Sequence, residues 1–248
     1  MIEAVLHGKL SSKQENMEDV LTSNVFGMLQ YVAPDAGVIP FLSRAKTMDG
    51  NAPLAYIKDL PAANISVSYR FWPRWSHCEP DVVLDISIAD RLSYLIVIEA
   101  KHRSGKSSEA DDVELRPNDQ LAREWLDLSE EADRLLARPL LVFLTADICC
   151  PKSEIQDSID EYSHKRSADA RTPLNCWLSW RELPGLFGRL PHLTPLRDIA
   201  RMAEKLNLTF FQGFEDLSPF HIDWTFDAYD PVWTFEVEQF TCDWAFQF

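Results

Sequence analysis

Three residues of this chain have the types and spacing for phosphate chemistry: Asp81, Glu99 and Lys101. Asp81 lies at the head of PDVVLDISI (80–88), and Glu99 and Lys101 close YLIVIEAK (94–101). Two carboxylates supply the hard oxygen ligands that Mg²⁺ takes, alongside waters and substrate phosphate. An ammonium beside such an ion orients a water and lowers its pKa, as phosphodiester hydrolysis requires. Charged groups on a central strand are expensive to bury unless they are paired or bind a metal. The alternative reading of the same residues is a surface ion pair at a strand edge.

The elements that must position them can be read from periodicity. Val82, Leu84, Ile86 and Ile88 alternate along one strand, and the apolar run of residues 94–98 suits a central strand covered on both faces. The link from Ala89 to Ser93 is short enough for a hairpin. A turn centred near Arg91 predicts Asp81 opposite Lys101 and Val83 opposite Glu99, which sets all three functional groups on one side of the sheet. A slip of one residue would part them.

Before this pair, residues 12–33 read as an amphipathic helix, with Ser12 and Glu15 spaced as a capping box and Pro34 as its stop. Residues 34–64 read as a long loop with room for a short helix, and 65–72 as a strand. After the pair, a polar loop (102–117) leads into a helix over 118–137 with Leu121, Trp125, Leu128, Ala132 and Leu135 inward. A buried strand (139–147), a polar helix (152–166), a strand (174–180) and a short helix (195–206) follow.

Pro80-Asp81 at the head of one strand and Glu99-Ala100-Lys101 at the end of the next resemble the motif of the PD-(D/E)XK nuclease superfamily. The resemblance covers residues 12 to 147, and the strand at 174–180 extends it. It implies an α/β fold with a restriction-endonuclease-like core, a central mixed sheet flanked by helices in the order αβββαβ. It implies that Asp81 and Glu99 hold Mg²⁺, or Mn²⁺ in its place, helped by the backbone carbonyl of Ala100, and that Lys101 positions the attacking water. Many members carry a Glu on the first helix that reaches the metal through water. Glu15 and Glu18 both qualify, and Glu18 is favoured because it flanks the apolar stripe. Gln120 matches the Gln of the Q-x-x-x-Y pattern that contacts the site, with Glu124 standing where that pattern has Tyr. The implied activity is a metal-dependent DNA endonuclease, serving anti-phage defence or DNA repair. The alternative is a catalytically inactive scaffold or a protein-interaction subunit. Alanine at Asp81 or Lys101 is expected to abolish cleavage and leave thermal stability largely intact.

Charge argues for a partner. The 248 residues carry 24 Lys+Arg against 39 Asp+Glu, a net charge of -15. Such a chain is unsuited to gripping DNA through bulk charge. Weak binding alone is expected, with a protein partner or a homo-oligomer bringing the substrate. Arg70, Arg74, His102, Arg103 and Lys106 are candidate local phosphate contacts, and His77 is read as structural rather than as a ligand. Residues 1–206 are expected to form the nuclease-like domain. Residues 207–248 hold 13 aromatics, eight acids and no Lys or Arg, and are expected to form a β-rich extension that covers this core or a partner. The five cysteines show no disulfide or zinc spacing, which predicts a reducing cytoplasm, with Cys149 and Cys150 as small buried residues. Nothing approaches the ~18 apolar residues of a membrane span.

Overall fold

The computed structural model describes residues 7, 18–102, 106, 108, 117–165, 171–190 and 192–210. The capping box at Ser12 and Glu15, the loop residue Arg103 and the aromatic extension from residue 211 lie outside the described residues.

The chain folds as α1 (Glu18–Leu29), α2 (Val38–Leu42), β1 (Ile65–Phe71), β2 (Val82–Ile88), β3 (Arg91–Ala100), α3 (Gln120–Leu135), β4 (Arg138–Thr145), α4 (Lys152–Lys165), β5 (Asn175–Ser179), α5 (Glu182–Phe187) and α6 (Thr194–Lys205). The five strands lie side by side in sequence order. β1, β2 and β3 are antiparallel neighbours, and β3, β4 and β5 are parallel ones. This is an α/β fold with a central mixed sheet flanked by helices.

Alternation along the strands builds two apolar layers. Val82, Leu84, Ile86, Ile96, Ile98, Leu140, Val142 and Leu144 face α1, α2, α5 and α6. Val83, Leu95, Val97, Leu141 and Phe143 face α3 and α4, where Leu121, Trp125 and Leu128 meet them. Each fully buried Leu, Ile or Val contributes about 1.5–3 kcal/mol. The two layers clamp the centre of the sheet and leave the charged cluster to the strand ends. Leu208 is buried in the first layer, and Arg181 donates to the carbonyls of Asn207 and Thr209, so the core reaches past the expected boundary at 206. Among the described residues no helix is long and apolar enough to cross a membrane.

The hairpin register differs from expectation. Val82 pairs with Ile98 and Val83 with Val97, which sets Asp81 across from Glu99 rather than Lys101. The turn is the two-residue pair Ala89-Asp90, with φ of 51° and 61° at the two positions. Such left-handed pairs match the twist of the flanking strands. A bulge then leaves Ser93 without a β2 partner, since Ile86 pairs with Tyr94 and Ser87 with Leu92. The displacement from the expected register is two residues at the site. An even slip preserves the face, so the shared side of Asp81, Glu99 and Lys101 survives.

Candidate metal centre

The centre lies at the carboxyl end of β3, where the sheet changes from antiparallel to parallel pairing. Asp81 precedes β2 and is fixed by its backbone, whose carbonyl accepts from Trp72 N–H at 3.0 Å. Its Oδ2 accepts the N–H of Ala100 at 2.8 Å, tying the two strand ends together. Lys101 continues the ladder, donating its N–H to Leu144 O at 2.7 Å, while its own carbonyl accepts from the buried Trp180 indole at 3.2 Å. The lysine backbone is therefore held from two sides.

Glu99, only 2% exposed, is the hub. Its Oε1 accepts Lys101 Nζ at 2.5 Å and the amide Nε2 of Gln120. Glu18, the first residue of α1, accepts the same ammonium at 3.2 Å through Oε1 and the N–H of His102 at 3.1 Å through Oε2. Ligand oxygens of Glu18, Asp81 and Glu99 all lie within 4.8 Å of one another, and this group can hold a metal ion. Sequence reading named these three, with Lys101 and Gln120, and the structure places all five together. At Ala100 the N–H bonds a site carboxylate.

Gln120 is placed by the start of α3. Asp119 caps the helix, its side chain accepting Ala122 N–H at 3.2 Å, a bond of a kind that contributes about 1 kcal/mol. Asp119 is anchored in turn by Lys106, and its N–H donates to Glu161 at 2.7 Å.

Glu124 is the residue that sequence reading missed. It sits one helical turn after Gln120, is 1% exposed, and its carboxyl interacts electrostatically with Glu99. The available signal was a Glu adjoining an inward stripe of Leu121, Trp125 and Leu128, where a solvated acid has no place.

Burial dominates the electrostatics. It pushes Asp81 up to about 7, with the charge of Glu99 adding to the effect. It also raises Glu99, against the pull of Lys101. Glu124 is driven well above the usual carboxylate range by burial and then by the charge of Glu99. For Lys101 burial works to lower the value, but Glu99 and Glu18 outweigh it and the net direction is up. Clustered, desolvated acids of this kind are a feature of functional sites.

A pH dependence follows for the metal-free protein. Asp81 in the fold holds its proton up to about 7, against an ordinary 3.8 in the open chain. Between those values the folded form binds more protons, so stability falls as pH rises from about 4 to about 7. At 1.36 kcal/mol per pKa unit the loss approaches roughly 4 kcal/mol. Urea midpoints measured across that range with a chelator present should decline. Asp81→Asn should flatten the curve, and a divalent ion should restore midpoints at the high-pH end. A profile that rises with pH in the chelated wild type would contradict the burial of this group.

The remaining candidates are engaged elsewhere. Lys106 is not a phosphate contact. It is buried against Asp119, with Glu154 O at 3.0 Å and Ser158 Oγ at 3.1 Å, and so ties the start of α3 to α4. Arg70 pairs with Asp85 at 2.8 Å and Arg74 with Glu79 at 3.1 Å. His102 is buried, and its N–H serves Glu18. His77 has the structural role expected of it. Asp127 on α3 accepts from His77 Nδ1 at 2.5 Å and from the N–H groups of His77 and Cys78 at 2.7 and 3.2 Å. That carboxylate pins the loop that delivers Asp81. Cys149 is exposed, contrary to the expectation of a buried pair, because the stretch after β4 turns outward at Asp147 and Ile148.

Comparison of the chain with family models, with curated proteins and with solved structures found no match.

Proposed function

We propose that this chain is a metal-dependent phosphodiesterase of the PD-(D/E)XK type that cuts DNA with Mg²⁺, or with Mn²⁺ in its place. The observation that carries the reading is the convergence of the Glu18, Asp81 and Glu99 oxygens within 4.8 Å, with Lys101 Nζ against two of the three. The order α1, β1–β3, α3, β4, with β4 parallel to β3, supports a restriction-endonuclease-like core.

The donor set fits a hard dication. Three carboxylates are held close together in a desolvated place where their charges repel, and no thiol or imidazole is among them. With Glu18, Asp81 and Glu99 ionised and Lys101 charged, the group carries two negative charges, which one divalent ion neutralises. Asp81 and Glu99 would be the direct ligands, with Glu18 beside them. When bound, the ion supplies Lewis-acid stabilisation of the phosphoryl oxygens and a water of lowered pKa. The chain's own residues do the rest. Lys101 offers its ammonium protons to orient that water, Gln120 fixes Glu99, and the N–H of Ala100 fixes Asp81.

The acidic charge shapes the biological reading. Among the described candidates, Arg70, Arg74 and Lys106 are paired with the chain's own carboxylates, which lowers the net positive charge they offer a phosphate backbone. A protein partner or a second copy of the chain supplies that grip in this proposal, in a defence or repair setting. The test is incubation of the purified chain with plasmid, short duplex and single-stranded DNA in Mg²⁺ or Mn²⁺. Nicking or cutting that disappears in chelator and in Asp81→Asn supports the reading, and equal cutting by Asp81→Asn overturns it. Intact metal binding without cutting of any substrate would favour the inactive-scaffold alternative.

A further inference from the structure

Arg123 lies in the first turn of α3, three residues after the Gln120 that donates to Glu99. Among the described residues it is the one half-buried Lys or Arg that makes neither an ion pair nor a side-chain hydrogen bond. Its Nε is enclosed without a partner. A partly desolvated cation is costly to hold in that condition.

The lack of a partner is not a lack of nearby acids. Residues four apart on a helix are the usual ion-pair partners, and Arg123 has Asp119 one turn before it and Asp127 one turn after. Both are taken by other donors. Asp119 accepts from Lys106 and from the N–H of Ala122 at 3.2 Å. Asp127 accepts from His77 Nδ1 at 2.5 Å and from the N–H groups of His77 and Cys78 at 2.7 and 3.2 Å. The fold thus leaves this guanidinium open, in a chain of net charge -15 where carboxylates are plentiful. Such an arrangement suits an anion that arrives from outside.

The placement indicates which anion. The charge of Arg123 acts on Cys78, in the loop that leads to Asp81, and α3 presents Gln120 to Glu99. Arg123 therefore stands where α3 meets that loop, beside the elements that deliver two of the clustered carboxylates. The planar guanidinium fork matches the paired oxygens of a phosphate.

We propose that Arg123 contacts a backbone phosphate of the nucleic-acid substrate beside the scissile one, and so holds the strand against the metal centre. The proposal rests on the nuclease reading of that centre and adds a substrate contact that the resemblance does not name. One such contact leaves the isolated chain a weak binder, in keeping with its acidic charge.

The test uses the full chain and a short DNA duplex in fixed Ca²⁺, a hard dication with the same preference for oxygen ligands. Binding is followed by fluorescence anisotropy over about 50–200 mM KCl. Arg123→Gln and Arg123→Met remove the charge, and Arg123→Lys keeps it. Mn²⁺ affinity by calorimetry and DNA-free thermal midpoints are recorded for each. The two neutral variants should bind about tenfold more weakly at the lowest salt. Their slope of log affinity against log salt should be shallower by about 0.9, the contribution of one phosphate. Arg123→Lys should keep the wild-type slope. Mn²⁺ affinity should not move, and the midpoints of the neutral variants should equal or exceed that of wild type. Unchanged duplex affinity and slope in both neutral variants overturns the proposal and leaves the metal centre standing. Lowered midpoints in both, or a loss of Mn²⁺ affinity, also overturns it, because Arg123 would then serve the fold. Absence of duplex binding by the wild type at the lowest salt overturns the DNA reading and this proposal together.

Discussion

Asp81→Asn should lower metal-dependent cleavage by about a thousandfold or more, while raising the thermal midpoint of the metal-free protein near pH 8. The two halves of this result have one cause. A desolvated carboxylate is costly in the empty fold and valuable when a dication sits against it. Losing one of the carboxylates that hold the ion removes several kcal/mol of transition-state stabilisation, and 1.36 kcal/mol is a factor of ten in rate. Without metal, the variant loses a buried charge whose ordinary protonation range has been pushed up to about 7. The Asn side-chain oxygen still accepts the Ala100 N–H that now reaches Asp81 Oδ2 at 2.8 Å, so the strand ends stay joined. Single-turnover cleavage and thermal melts in chelator measure the two effects separately. A variant that loses activity together with stability would show that Asp81 serves the fold first.

Lys101→Ala should behave in the opposite way on stability and in the same way on activity. From sequence, its removal was expected to leave thermal stability intact. The structure changes that expectation, because Lys101 is the ammonium paired with both Glu99 and Glu18 inside the site. Removing one member of a buried ion pair leaves an uncompensated charge, which typically costs 3–5 kcal/mol. We expect a loss on the order of 4 kcal/mol near pH 8 in chelator. Much of it should be recovered on adding Mn²⁺, since a dication can replace the missing counter-charge. Cleavage should stay abolished in the same sample, because refilling the charge does not restore a group that orients water. Chemical denaturation with and without Mn²⁺, beside the nuclease assay, checks all three parts. A variant as stable as wild type in chelator would mean that the carboxylates are satisfied without the lysine.

The contrast between these variants shows where sequence reading reached and where it stopped. Shared parity of Asp81, Glu99 and Lys101 was legible because side-chain direction along a strand has period two and the apolar residues between them mark the phase. The position of the turn was not. Ala89-Asp90 lacks the Asn-Gly or Asp-Gly signal of a two-residue hairpin, and nothing in Leu92-Ser93-Tyr94 announces a bulge. Helix α3 and its inner face were plain from Leu121, Trp125 and Leu128. Glu124 stands where the related pattern has a ring, and its burial depends on the tertiary packing of α3 against β3 rather than on that pattern. The partners of Arg70, Arg74 and Lys106 depend on tertiary contacts with Asp85, Glu79 and Asp119, which composition near the site cannot supply. Helix α5 was missed because ELPGLF carries Pro184 and Gly185, both poor interior helix formers.

The unpaired Ser93 has a consequence for the arithmetic of the whole hairpin. Across the turn, partners such as Ile88 and Arg91 add to an odd number, and beyond the bulge partners such as Val82 and Ile98 add to an even one. With the odd sum carried through, Asp81 would face Ile98, and Glu99 would point to the opposite side of the sheet. One supernumerary serine, far along the strand from the clustered carboxylates, therefore converts the phase of the turn into the phase of the carboxylate end. A change of one residue in the paired strands, with the turn and the bulge unchanged, would set the two carboxylates on opposite faces. A change of two would merely slide them. With the turn and the bulge kept as they are, the paired strands can lengthen or shorten only in even steps if the carboxylates are to stay on one face.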